Sequence, residues 1–267
     1  MFPKLDWQDM TWEDFAGDTS RWIAVLPVAA IEQHGPHLPV GVDTFIADAY
    51  LAAARTQLPS DLPVTFLPRQ AIGASDEHRA YPGTLTLSAD TFQRMLMEIG
   101  ESVHRAGLRK LVIANSHGGN VPMLDIAVRD LRVKFGMLAV TCSWARLGYP
   151  EGAFSTAERE HGIHAGDIET SIMLAARGDL VRAEKVSNFA PTTLAMEREF
   201  KWLRASKPAG FGWMSQDLHQ SGAMGDAAAA SAAKGKASIV FGANAFVELL
   251  GEIDRFDLKR LAHGPLG

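Results

Sequence analysis

The sequence has almost no cysteine and no long apolar run. Its 267 residues contain one cysteine, Cys142, so no disulfide can form within the chain, and the strand-like run 137–142 predicts a buried, inert thiol. No apolar segment reaches the ~20 residues that a membrane-spanning helix needs, and the first residues lack the basic start and apolar stretch of a signal peptide. We therefore expect a cytoplasmic protein with no membrane partner.

A run rich in lysine or arginine is absent as well. The formal net charge is −5, and no segment could neutralise a stretch of phosphates, so we expect no nucleic-acid partner. Hydrophobic residues make up 47% of the chain and charged residues 21%, as in ordinary globular proteins. The length is compatible with one continuous core, and we predict a single domain over residues 1–267.

Apolar runs alternate with longer amphipathic segments, a pattern typical of βαβ units. It predicts strands at 22–30, 62–67, 111–114 and 138–142, and helices at 43–57, 88–106, 121–135 and from about Gly166 onward. A last helix is predicted within the alanine-rich region 226–250 from an apolar stripe formed by Ile239, Phe241, Ala245, Phe246 and Leu249. The fold class is therefore α/β, a three-layer α/β/α sandwich with a mainly parallel central sheet.

The segment 186–224 has no clear periodicity. It is too long for a plain connection between two elements, because structureless loops of this length are uncommon inside compact domains. We predict that it forms a lid or a subunit contact.

The first candidate site follows the predicted strand 22–30. In an extended chain Glu32 and His34 project to the same side, so a carboxylate and an imidazole would converge. An isolated Glu-x-His is usually a pair of solvated loop residues. Here glycines, prolines, His37 and Asp43 lie within a dozen positions at the carboxyl end of a strand, where α/β proteins place ligands, and this favours a functional role.

The second candidate site, 115–120, follows the strand 111–114. Gly118 and Gly119 permit a tight turn, while His117 and the flanking asparagines offer a metal ligand and amides to hold it. A phosphate-binding loop is disfavoured because the run lacks a P-loop lysine and the dinucleotide-binding spacing. An ordinary glycine turn remains an alternative.

The third candidate site, 161–171, passes from a glycine-containing loop into a helix. Glu169 precedes Ile172 and Met173 by three and four positions and so leans toward the interior, which makes it a candidate ligand. Asp167 is interpreted as an acidic residue of the first helical turn that interacts favourably with the helix dipole, and it is left out of the site.

Together the three segments resemble the creatininase family, with its Glu-x-His-Gly-x-His-Leu-Pro segment and following aspartate, its Asn-x-His turn, and its His-Ala-x-x-x-Glu-Thr-Ser segment. The segments 75–78 and 81–85 are also similar to the family. The resemblance implies a metal centre with a bridging carboxylate at Asp43. Its implied ligands are Glu32, His34, Asp43, His117 and Glu169.

The same resemblance assigns proton transfer to His164 and substrate binding to Ser75, His78, Gly118 and Gly119. Creatininase itself carries a tyrosine and a glutamate where Gly118 and Gly119 stand, so creatinine is not the expected substrate. Glu169 is expected to replace the lost carboxylate.

The resulting expectation is an amidohydrolase with two divalent cations, Zn²⁺, Mn²⁺ or Fe²⁺, that cleaves a non-peptide or cyclic amide or formamide bond of a small polar substrate. A hydroxide shared by the two ions would be the nucleophile. Open alternatives are creatininase proper, a hydrolase of a sugar lactone, keto-sugar or short peptide, and a non-catalytic metal-containing binding protein. A homo-oligomer, a hexamer by resemblance, is also expected.

Overall fold

The computed structural model describes residues 2–262, 264 and 265. Of the predicted domain 1–267, Met1, His263, Leu266 and Gly267 lie outside the described residues. The central sheet contains four parallel strands in the order β2-β1-β3-β4. Their bounds are β1 Ile23–Val28, β2 Val64–Phe66, β3 Lys110–Asn115 and β4 Leu138–Ser143. The prediction of a mainly parallel sheet is confirmed.

Nine helices within the described ranges surround or extend this sheet. They are α1 Val42–Arg55, α2 Ala89–Arg105, α3 Val121–Phe135, α4 Trp144–Leu147, α5 Thr156–His161, α6 Asp167–Arg177, α7 Thr193–Glu199, α8 Ser215–Leu218 and α9 Ala232–Arg255. Short 3₁₀ turns connect several of them.

Alternation along β1 divides the core into two layers. Ile23 and Val25 belong to one apolar cluster with residues of α1, α6 and α9, whereas Ala24 and Leu26 belong to a second cluster with residues of α2 and α3. Both faces of the sheet are therefore covered, which explains why the central strands are nearly continuous apolar runs. The predicted three-layer α/β/α arrangement is confirmed.

The apolar stripe predicted for α9 is partly wrong. Phe246 is fully buried, but Phe241 is 38% exposed. Small residues form much of the buried face because neighbouring elements come very close. A Cβ added to Gly235 would lie 1.8 Å from the Ser171 carbonyl oxygen of α6. Hydrophobicity alone could not identify the buried face of α9, because small residues there allow α9 and α6 to pack closely.

The segment 186–224 contains short elements. They include β5 Asn188–Phe189, β6 Leu203–Arg204 and β7 Ala209–Gly210, together with α7 and α8. The strand β5 pairs antiparallel with β8, Gly225–Asp226, while β6 pairs with β7. Among the described residues, no helix is both long and apolar enough to cross a membrane.

The sheet register places the candidate segments side by side. Val28 at the end of β1 pairs with Asn115 at the end of β3, which pairs in turn with Ser143 of β4. The loops that leave these strands therefore start at one edge of the sheet, as expected for ligand sites in α/β folds.

Candidate metal centre

The residues of the first two candidate segments converge beyond the ends of β1 and β3. Glu32, His34 and Asp43 are each 1% exposed, and His117 is 5% exposed. His117 Nδ1 lies 3.2 Å from Glu32 Oε1. Asp43 lies between the two histidines, with Oδ1 3.7 Å from His34 Nε2 and Oδ2 3.6 Å from His117 Nδ1.

Glu169 of α6 joins this group, and its Oε2 lies 3.7 Å from His34 Nε2. The same oxygen accepts a 2.6 Å hydrogen bond from the backbone N–H of Ala165, a left-handed residue with φ 56°. Such a conformation is unfavourable for a residue with a Cβ and is typical of functional sites. Asp167 instead accepts hydrogen bonds from Ser171 and Lys234.

Two asparagines hold the turn that carries His117. The Asn120 amide donates to Ala29 O at 3.1 Å and accepts from Ala74 N at 2.9 Å. Asn115 Nδ2 donates to His117 O at 2.7 Å. These bonds join the segments after β1, β2 and β3, so the turn is fixed by side-chain amides as the sequence predicted.

Backbone carbonyls orient three histidines. His34 Nδ1 contacts Glu32 O at 3.0 Å, His117 Nε2 contacts Ala74 O at 2.9 Å, and His164 Nε2 contacts Gln33 O at 2.6 Å. Since a carbonyl only accepts, each of these ring nitrogens carries the proton and donates. The other nitrogen then faces the carboxylates with a lone pair when the ring is neutral, as in metal-ligating histidines.

His78 has the opposite orientation. Gln33 Oε1 accepts from Gly35 N at 2.8 Å, so the Gln33 amide nitrogen is the group that faces His78 Nδ1 at 2.7 Å and Gly222 O at 3.0 Å. Nδ1 of His78 therefore accepts, and its protonated Nε2 lies 3.4 Å from Glu32 Oε1. His78 therefore turns an N–H toward the centre, whereas a metal ligand would present a lone pair.

The donor atoms at the centre fit divalent cations. Four ligand atoms are buried and have no hydrogen-bond partner in the described part of the chain: both carboxylate oxygens of Glu32, Nε2 of His34 and Oδ2 of Asp43. Buried charged groups require pairing or a metal ion. Imidazole and carboxylate ligands are compatible with Zn²⁺, Mn²⁺ and Fe²⁺.

Three overlapping groups each present ligand atoms within 4.8 Å of one another. They are Glu32, His34 and His164; Glu32, Glu77 and His117; and His34, Asp43 and Glu169.

When no cation is bound, the carboxylates raise the pKa of two histidines and so favour their protonated forms. Burial opposes charge on His34, but Asp43, Glu169 and Glu32 raise its pKa to about 9. Burial likewise opposes charge on His117, whose pKa is raised to about 10 by Glu32, Asp43 and Glu77. Burial raises the pKa of Glu169 to about 7.

A cavity of about 300 Å³ lies over the centre, and Gly118, Gly119, His78, His164 and Trp213 are among its lining residues. A second cavity of about 470 Å³ shares Ile163 and Glu169 with it. Ser75 does not line either cavity. Its hydroxyl lies 3.3 Å from Nε2 of His117, the ring nitrogen that faces away from Asp43.

Sequence reasoning missed Glu77, Gln33 and Trp213. Glu77 stands beside a predicted site residue, but no periodicity shows which side chain of the segment 75–78 faces the centre. Gln33 acts through its amide and backbone carbonyl, and Trp213 belongs to the aperiodic segment 186–224. Only the three-dimensional arrangement brings these residues to the site.

Known proteins share this arrangement of elements. A family model described as creatinine amidohydrolase matches residues 8–250. The mycofactocin precursor peptide peptidase of Mycolicibacterium smegmatis is 32% identical over 80% of this chain and 78% of its own. The creatinine amidohydrolase of Pseudomonas putida is 30% identical over 69% of this chain and 76% of its own. A crystal structure of creatinine amidohydrolase superimposes with a TM-score of 0.72 at 24% identity, covering 95% of this chain and 99% of that one.

Proposed function

Since the chain belongs to the creatininase family and is a hydrolase of carbon–nitrogen bonds, we propose that it binds two divalent cations and cleaves an amide or formamide bond of a small polar substrate. The observation that carries this proposal is the set of buried ligand atoms of Glu32, His34 and Asp43 to which the described residues offer no hydrogen bond. These atoms line or adjoin a cavity that can hold a substrate.

The ligand positions support two neighbouring ions. Glu32 and His117 would hold one ion, and His34 and Glu169 would hold the other. Asp43 would contact both, because its two oxygens face the two different histidines, at 3.7 Å from His34 and 3.6 Å from His117. Bound cations would polarise the substrate carbonyl and lower the pKa of water.

His164 is proposed to move the proton. Its Nδ1 faces the centre, 3.6 Å from Glu32 Oε1, while its Nε2 donates to a backbone carbonyl. Burial, together with the charges of His34 and His78, holds the pKa of His164 well below its usual value. Nδ1 is therefore free to accept a proton from the attacking water and to deliver it to the leaving nitrogen, which departs poorly as an anion.

A short peptide is the second candidate substrate. The 470 Å³ cavity beside the centre offers room for a chain that extends past the reacting bond. Gly118 leaves open space where creatininase carries a tyrosine, since a Cβ added there meets no atom of the described structure within 4 Å. The relative from Mycolicibacterium smegmatis named as a peptide peptidase adds support.

We also propose that the segment 186–224 forms a lid or a subunit contact. Trp213 lines the cavity, while Trp202 and Leu203 are 63% and 41% exposed. A homo-hexamer is the expected assembly, and light scattering that finds a monomer would contradict it.

The function is tested with metal-free protein reconstituted with Mn²⁺ or Zn²⁺. Formamides, cyclic amides, short peptides and lactones are compared, with amine release or acid production as the readout. We expect turnover of an amide or formamide that is lost in Glu32→Gln and kept in the exposed control Glu13→Gln. Cleavage of lactones alone would refute the proposed bond, and cleavage of peptides alone would select the second candidate.

His164→Ala provides a separate test of proton transfer. The variant should keep both metals and lose about 10²- to 10⁴-fold on a poor-leaving-group amide, with a much smaller loss on an activated ester. Equal losses on both substrates, or loss of metal, would assign His164 a ligand or structural role.

A further inference from the structure

The space beside Gly119 is filled by a carboxylate from another loop. A Cβ added to Gly119 would lie 2.4 Å from Glu77 Oε1, 2.4 Å from His117 Nε2 and 2.6 Å from Ala74 O. By contrast, a Cβ added to the neighbouring Gly118 meets no atom of residues 2–262, 264 and 265 within 4 Å. The turn therefore has no room for a side chain at position 119, and the carboxylate of Glu77 occupies that space.

Glu77 is directed into the centre by the short 3₁₀ turn Asp76–His78. Its side chain is 20% exposed and lines the 300 Å³ cavity with Glu32 and Asp43. Ligand atoms of Glu77, Glu32 and His117 lie within 4.8 Å of one another. The two oxygens of Glu32 are buried and have no hydrogen-bond partner among the described residues. Glu77 therefore adds a second carboxylate beside one whose charge is not balanced by hydrogen bonds.

The neighbouring histidine does not satisfy Glu77. Glu77 Oε1 lies 3.4 Å from His117 Nε2, but the single proton on Nε2 goes to Ala74 O at 2.9 Å. No lysine or arginine is among the cavity's lining residues in the described part of the chain. A bound divalent cation would balance this carboxylate.

The charge of the centre supports the same conclusion. Glu32, Asp43, Glu77 and Glu169 all line the cavity. Carboxylates gathered around one small volume repel one another, and bound divalent cations would relieve this repulsion.

We infer that Glu77 is a further metal ligand, coordinating the ion assigned to Glu32 and His117. It would supply from the 75–78 loop a carboxylate that the Gly118-Gly119 turn cannot carry, while Glu169 serves the other ion. This inference rests on the proposed two-metal centre, and it adds a ligand to that centre.

The test is a Co²⁺ titration of metal-free wild type, Glu77→Gln and Asp76→Asn. Asp76 is the matched control because it is adjacent and its side chain is 59% exposed. Wild type and Asp76→Asn should bind two Co²⁺ per chain. Glu77→Gln should bind one ion normally and the second more than about 100-fold more weakly, beyond the usual effect of losing an outer-shell partner. Its visible d–d absorption should change, because a ligand is lost.

A second Co²⁺ bound by Glu77→Gln with a smaller loss, or with the wild-type d–d spectrum, would overturn the inference and leave the proposed function intact. Wild type that binds no Co²⁺ would refute the metal centre as a whole. If Glu77→Gln does not fold, anomalous diffraction from wild-type protein loaded with Mn²⁺ decides the question. A Glu77 oxygen at about 2.0 to 2.3 Å from an ion supports the inference, and a separation beyond 3 Å overturns it.

Discussion

Metal binding should release protons, because the histidines that we propose as ligands hold them when no cation is present. The pKa of His34 is raised to about 9 and that of His117 to about 10. Both side chains are therefore almost fully protonated at pH 7 in the metal-free protein. A metal ion needs the unprotonated nitrogen, so each ion that binds must displace a proton.

The expected number of protons follows from these pKa values. His34 and His117 contribute about one each at pH 7, and Glu169, with a pKa of about 7, contributes about half. Loading both ions should release about two to three protons per chain. Because the raised pKa values favour the protonated, metal-free form, affinity falls as pH falls. Between pH 8 and pH 7 the product of the two binding constants should decrease by about 100- to 300-fold.

Calorimetry with Mn²⁺ in two weakly coordinating buffers that differ in ionisation enthalpy measures this release directly. His34→Asn should bind one ion and release about one proton, from His117. Release of fewer than one proton when wild type binds two ions at pH 7 would refute the reasoning, as would an affinity that does not change with pH.

Three further predictions concern stability and the site. Gly235→Ala should destabilise the fold by about 1–3 kcal/mol in urea unfolding, since the added methyl meets the Ser171 carbonyl oxygen at 1.8 Å. Gly251→Ala, in the same helix with only the end of a flexible side chain nearby, should instead stabilise by about 1 kcal/mol; destabilisation by both variants would contradict this account of close packing. Gly119→Ala should weaken metal binding, whereas Gly118→Ala should leave it unchanged, and equal behaviour in a metal titration would contradict the different surroundings of the two glycines. Chelation should lower the midpoint of thermal unfolding, and added Mn²⁺ should restore it. Free Mn²⁺ at 100 times its Kd should stabilise the folded protein by about 2.7 kcal/mol. An unchanged midpoint would argue against a bound cation.

The layers of the fold could be predicted because a sheet covered by helices on both faces has strands that are nearly continuous apolar runs. The strand predicted at 138–142 is observed as Leu138–Ser143, and the helix predicted at 121–135 is observed with the same bounds. The buried face of α9 could not be predicted well, since Gly235 is buried for its small size and not for its hydrophobicity.

The candidate centre was predictable to a similar degree. Residues that directly follow strands, such as Glu32 and His117, could be located because the carboxyl ends of parallel strands meet at one edge. Glu77 could not, because its position depends on a loop whose path is set by Asn120 and by contacts between distant segments. The order of strands and loops in the sequence predicts which segments meet at the edge of the sheet. It does not predict which side chain of a loop enters the cavity between them.

The most direct test of the account is a titration of metal-free protein with Mn²⁺, with amide or formamide hydrolysis recorded at each addition. We expect no turnover without metal, and a turnover that rises with each addition until two ions are bound per chain. Full turnover in chelator-treated protein, or a protein that binds no divalent cation, would contradict it.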